Sequence, residues 1–143
     1  MDTDMSRPVI SLVSARTLHL SAQNLYKPRI KKPSADDVVQ AIRTMGLLQI
    51  DTISVVARSP YLVLFSRLGN YSPHWLEDAL SAGKVFEYWA HEACFIPSED
   101  YGLLRHRMLN PQKMGWKFSQ AWFDEHQNDI QALLAHIAEK GPV

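Results

Sequence analysis

Three features of the 143-residue sequence predict a mainly α fold with a small β component, arranged as a winged helix-turn-helix domain with additional helices. Serine-capped apolar stretches recur along the chain, one short apolar run at residues 47–53 interrupts them, and two alternating segments at 84–89 and 93–97 follow as a strand pair. Helices, a brief extended run, two more helices and a strand pair form the order in which a winged helix assembles its small sheet. No internal repeat or low-complexity tract competes with this reading.

The bulk numbers set the frame. Apolar residues make up 46% and charged ones 21%, so the chain is globular and long enough for one domain with a real core. Lys and Arg number 15 against 15 Asp and Glu. A whole-chain basic field for nucleic acid is thereby excluded, and any cationic surface must be local. The single cysteine, Cys94, lies in an apolar run and has no intramolecular disulfide partner, as in a reducing compartment. No apolar stretch approaches the roughly 20 residues of a membrane span, and Met1-Asp2-Thr3-Asp4 is acidic where a secretory peptide is basic. A cytoplasmic protein without a membrane partner is expected.

Taken in order, residues 1–8 are expected to be disordered. Residues 9–13 are short and β-branched, and Ser14 is placed to cap a helix from Ala15 to about Leu25 with Ala15, Leu18, Ala22 and Leu25 as its inner stripe. Lys27-Pro28-Arg29-Ile30-Lys31-Lys32-Pro33 cannot be helical throughout, and reads equally as a solvated linker or a phosphate-contacting loop. A helix starting at Ser34, with Asp36 and Asp37 at its positive end, buries Val38, Ile42 and Met45 and stops at Gly46. Ser59-Pro60 opens a short apolar helix, residues 61–68, closed by Gly69; Ser72-Pro73 opens another that ends at Gly83.

The two strands then meet through Ala90-His91-Glu92, a tight connection or bulge. Ser98-Glu99-Asp100 caps a helix over 101–109 that Asn110-Pro111 ends. From Phe118 one long helix carries Trp122, Ile130, Leu133 and Ile137 at helical spacing until Gly141-Pro142 breaks it. Residues 9–97 are thus expected to form the winged-helix domain and 98–143 a helical extension.

Most chemical motifs are missing. Six histidines raise a metal site, but none stands four residues from another, and His91-Glu92 lacks the second histidine of a zinc helix. No metal and no cofactor are expected. Cys94 and the tryptophans Trp75, Trp89, Trp116 and Trp122 read as core. Arg105-His106-Arg107, with Lys113 and Lys117 nearby, is either a phosphate-binding face or a solvated charged one.

Gln49-Ile50-Asp51 is different. In an extended run its amide and carboxylate share one face. Among Leu48, Ile50 and Ile53 the carboxylate of Asp51 is partly desolvated, which is unfavourable unless it is paired, hydrogen-bonded or retained for chemistry. Arg58, seven residues on, supplies the purely structural explanation: an ion pair that ties the run to the next helix.

At Leu47-Leu48-Gln49-Ile50-Asp51-Thr52-Ile53-Ser54-Val55-Val56-Ala57-Arg58-Ser59-Pro60, continuing to Gly69, and at Glu87-Tyr88-Trp89-Ala90-His91-Glu92-Ala93-Cys94-Phe95-Ile96-Pro97, the chain resembles the YcaQ family. These are bacterial winged-helix DNA glycosylases, related to AlkZ, that unhook interstrand crosslinks and release bulky N7-alkylguanines. Arg105-His106-Arg107-Met108-Leu109 and Lys113-Met114-Gly115-Trp116-Lys117 extend the resemblance over nearly the whole chain. It implies tandem winged-helix domains followed by a β-barrel, with a catalytic Gln-x-Gln or Gln-x-Asp motif in the first winged helix. Here that motif is Gln49-Ile50-Asp51. A full-length member runs on past Val143, so the chain reads as an N-terminal portion whose extension leads to a missing second winged helix.

The resemblance also implies a chemistry. An N7-alkylated guanine already carries a positive charge and leaves without a proton from a general acid, so one anion can suffice. Asp51 is the residue expected to stabilise an oxocarbenium-like sugar and to orient or deprotonate water, and Gln49 to hold the water or the deoxyribose. No lysine adjoins the motif, so a monofunctional hydrolase without lyase activity is expected. Phosphate contacts are expected from Lys27, Arg29, Lys31, Lys32, Arg105 and Arg107, and then from Arg58. The expected partner is double-stranded DNA carrying alkylated guanine or crosslinks, met by a monomer in the bacterial cytoplasm, at the nucleoid during repair. Two alternatives stand beside this: a non-catalytic winged-helix DNA-binding module in which Asp51 merely pairs with Arg58, and an inactive fragment that binds little DNA.

Overall fold

Ser11, and not Ser14, caps the first helix, α1 (Leu12–Ala22): its backbone is extended and its hydroxyl accepts the Ser14 N–H at 3.0 Å. In the computed structural model, which describes residues 9–26, 32–51, 54–110 and 119–141, no residue of α1 is buried. The expected inner stripe does not form. Two of its four members are alanines with little area to bury, Leu18 stands 61% exposed, and Leu25 lies beyond the helix end.

The second helix, α2 (Ala35–Met45), carries the core. Ser34 donates its backbone N–H and its hydroxyl to Asp37 Oδ2, both at 2.8 Å, and Asp36 and Asp37 face the positive end of the helix dipole. Val38 and Ile42 are fully buried and Met45 packs beside them. Gly46 ends the helix at φ 81°, where a side chain is strained.

Next comes β1 (Leu48–Gln49), shorter than the apolar run that contains it. Its extended course lasts one residue more, since the Ile50 N–H donates to the Ala93 carbonyl at 2.7 Å. Helix α3 (Ser59–Leu68) takes Arg58 as its cap residue, so Ser59 and Pro60 are its first two members and the expected serine cap is displaced by one. Helix α4 (His74–Ser81) and strands β2 (Val85–Trp89) and β3 (Ala93–Pro97) follow, and the sheet is antiparallel in the order β1-β3-β2.

Register settles the two faces. Leu48 and Glu87 both pair with Phe95, and Val85 pairs with Pro97, so these side chains share the face that packs on α2, α3 and α4 with Val38, Ile42, Leu64 and Leu76. Gln49 and Tyr88 pair with Cys94 and belong to the other face, where Cys94 and Ile96 are also buried and Phe86 meets Tyr101 edge-on at 5.7 Å. The architecture is mainly α with a small β component, and α2-β1-α3-α4-β2-β3 follows the expected winged-helix order.

The chain divides into two compact units, meeting between Tyr101 and Gly102. After a 3-10 turn at Ser98–Asp100 come α5 (Tyr101–Met108), α6 (Gln120–Glu125) and α7 (Gln127–Lys140). The single long helix expected here is two. His126 leaves the helical region at φ −106° and ψ 17°, its ring bonds the Trp122 carbonyl at 2.8 Å, and it stacks on the indole at 4.3 Å. Trp122 and Trp89 are exposed, against expectation, whereas Trp75 packs on the core; Trp116 lies outside the described residues.

Candidate active site

Gln49 and Asp51 do not share one face as expected, because the extended course ends at Ile50 and Asp51 lies beyond it, in a cleft that Gln49 does not line. Gln49 is exposed on the sheet face of Cys94, with its Oε1 3.4 Å from Nε2 of His91 in the β2–β3 connection. That imidazole also lies 4.0 Å, through Nδ1, from the Cys94 sulfur. Burial pushes the Cys94 thiol up, so it is a neutral thiol that faces this ring.

Asp51, the second residue after β1, is half-buried and lines a cleft of about 280 Å³. Five elements meet there. The end of the β1 run contributes Ile50 and Asp51, the start of α3 brings Arg58, Pro60 and Tyr61, α4 gives Leu76, β2 gives Glu87, and β3 gives Ala93 and Phe95. The floor is therefore apolar, while the charges are two carboxylates and one guanidinium. Because Arg58 caps α3, the positive end of that helix dipole also opens on the cleft, which favours an anion there. The volume falls just below the ~300 Å³ at which drug-sized ligand pockets begin.

The outer wall is braced. The Tyr61 hydroxyl donates to Glu77 Oε1 at 2.6 Å, and His74 Nδ1 lies 3.1 Å from Glu77 Oε2. The hydrogen bond to Glu77, then burial, hold the Tyr61 phenol above the ordinary tyrosine range. Tyr71 donates to the Tyr61 carbonyl at 3.3 Å, and burial pushes its phenol higher still.

A half-desolvated carboxylate over an apolar floor can stabilise a developing cation and orient a water molecule. The Asp51 and Arg58 that a structural ion pair would join do line one cleft. Among the described residues no group of three His, Cys, Asp or Glu is placed to hold a metal ion, and no helix is long and apolar enough to cross a membrane.

The cationic candidates fall in different elements. Lys32 is exposed just before α2, Arg58 is exposed at the cleft, and α5 carries Arg105, exposed, and Arg107, half-buried. Lys27, Arg29 and Lys31, like Lys113 and Lys117, lie outside the described residues. Sequence reasoning missed Glu87, Tyr61 and His91. The first and last were beyond its reach because they depend on β1 pairing with β3; for Tyr61 the signal was present, a tyrosine in the first turn after Ser59-Pro60.

No solved structure matches the chain. A family model described as "DNA glycosylase AlkZ-like" matches residues 42–143, a span that starts within α2 and holds the whole cleft together with Gln49 and His91. With that match over most of its length, the chain belongs to the AlkZ-like DNA glycosylase family.

Proposed function

We propose that this chain carries the base-excision site of a DNA glycosylase that hydrolyses the N-glycosidic bond of N7-alkylguanine and unhooks interstrand crosslinks. The observation that carries the reading is Asp51, half-buried in an apolar cleft inside the family-matched region. As the bond from C1′ to the cationic base lengthens, the electron pair leaves with the base and positive charge gathers on the sugar. Asp51 lies against that charge, and as water attacks C1′ it takes up the proton. At about 4 Å and an effective dielectric near 20 such a contact is worth about 4 kcal/mol, of which only the excess over the ground state raises the rate. The reading also assigns Gln49 to the water or the deoxyribose, although its side chain stands on the Cys94 face of the sheet and does not line the Asp51 cleft.

The same reading assigns phosphate contacts to Lys27, Arg29, Lys31, Lys32, Arg58, Arg105 and Arg107. It treats residues 9–97 as the winged-helix domain and 98–143 as its extension towards a second winged helix, and the enzyme as a monomer without lyase activity. A winged-helix module that reads duplex sequence with α4 is less well supported. The exposed side chains of that helix include Glu77 and Asp78 and no lysine or arginine, so it repels the phosphates that flank a major groove.

The test uses duplex DNA with N7-methylguanine. Release of the free base should fall at least about 100-fold in Asp51→Asn, the loss typical of removing one transition-state contact, and the abasic product should remain unnicked until alkali is added. Equal rates for Asp51→Asn and the parent would remove Asp51 from the mechanism.

A further inference from the structure

Just before α3, residues 54–58 form a tight loop closed at its base, where Ser54 and Arg58 make an antiparallel bridge. Its tip holds Val55 and Val56, which are 91% and 89% exposed. Single apolar side chains on a surface are ordinary. Two adjacent valines almost wholly in water, on a loop that neither of them helps to pack, have no role in the core.

The loop is anchored on its α3 side. Arg58 caps α3, its carbonyl accepts the Tyr61 N–H at 3.1 Å, and Pro60 is buried two residues on. Valine is stiff at χ1, so the pair loses little freedom when it enters a confined space. A protein interface needs about 800 Å² from each partner, far beyond two valines. A step between stacked bases, in contrast, opens to admit a small apolar wedge. At the loop's foot Arg58 supplies a cation for a backbone phosphate, and the same residue lines the Asp51 cleft.

We propose that Val55 and Val56 form a wedge that enters the base stack of duplex DNA beside the modified base, opening that step while Asp51 acts on the sugar. The inference rests on the glycosylase reading and adds to it the way the duplex is opened. Damaged positions stack least well, so a wedge here favours the lesion over intact DNA.

The experiment places 2-aminopurine next to N7-methylguanine and follows its fluorescence, DNA binding by anisotropy and base release for the parent and for the Val55→Ala, Val56→Ala double variant. The parent should brighten the probe as it binds. The double variant should keep the parent's melting temperature and monomeric mass, leave the probe dark, and bind the intact duplex about tenfold more weakly, about 1.4 kcal/mol, yet match the parent on a duplex already gapped at that step. Brightening equal to the parent's, an equal loss on the gapped duplex, or a change in melting temperature or mass would overturn the wedge. A parent that binds and releases base without brightening also overturns it and leaves the glycosylase reading standing. A parent that neither binds nor releases base overturns both.

Discussion

The Tyr61 hydroxyl and Glu77 Oε1 lie 2.6 Å apart, a bond that joins the first turn of α3 to α4 at the outer wall of the Asp51 cleft. Tyr61→Phe keeps the ring and deletes the bond, and should lower stability by about 0.5–1.5 kcal/mol in urea denaturation. The bond also fixes an alkaline limit. Tyr61 and Tyr71 both hold their protons more tightly when folded, so their contribution is complete below about pH 10 and is lost as pH rises through the raised folded values. Ultraviolet titration should show these phenols ionising late. Two normal titrations would contradict the bond and the burial.

Arg58 serves the proposed site more than the core. Arg58→Ala should leave folding stability within about 0.5 kcal/mol, since the residue is exposed, while reducing the salt slope of DNA binding by about one. Binding isotherms at several salt concentrations decide it, and an unchanged slope would take Arg58 out of the phosphate contacts.

Ile42 and Leu18 offer a matched pair for the core. Ile42→Ala removes a fully buried side chain between α2 and the sheet and should cost about 2–5 kcal/mol. Leu18→Ala, on the exposed face of α1, should fall within about 0.5 kcal/mol. Chemical denaturation midpoints compare them directly, and equal costs would mean that α1 is packed.

Acid should act through Glu99. Arg43 donates to Glu99 through Nε and, at 3.3 Å, through Nη2, and this hydrogen bonding holds the Glu99 carboxyl below the ordinary glutamate range. A lowered folded value means stability that is present above the ordinary range and lost as pH falls through the folded one. Glu99→Gln should therefore separate from the parent near neutral pH and converge with it in acid, and added salt should narrow the gap at neutral pH. A gap that persists in acid would show that charge is not its source.

Much of the fold was legible because the signals were local. Ser34 with Asp37, Gly46, Gly69 and the alternation of residues 84–89 each acts within a few residues, and the elements they mark stand where expected. Failures came where a local signal had two outcomes. Ser11 and Ser14 can both cap a helix, and the nearer start won; the helical spacing from Trp122 to Ile137 says nothing of His126, whose backbone leaves the helical region while its ring joins its own N–H on the Trp122 carbonyl.

The site divides the same way. That a carboxylate at Asp51 is half-desolvated could be read from its apolar neighbours. That Glu87 shares its cleft, and that His91 reaches Gln49, depends on strand pairings made across two helices.

The order β1-β3-β2 has a bearing on how the chain acquires its chemistry. β1 is only two residues long, and its sheet partner is β3, from the far side of α3, α4 and β2. Closing so long a loop costs entropy that is recovered only when the hairpin is already in place to receive Leu48 and Gln49. The Gln-x-Asp run is synthesised early and organised late. An unfolding event confined to the β2–β3 hairpin would thus disarm the site while the helices persist, and native-state hydrogen exchange should find the Ile50 amide opening together with the amides of β3.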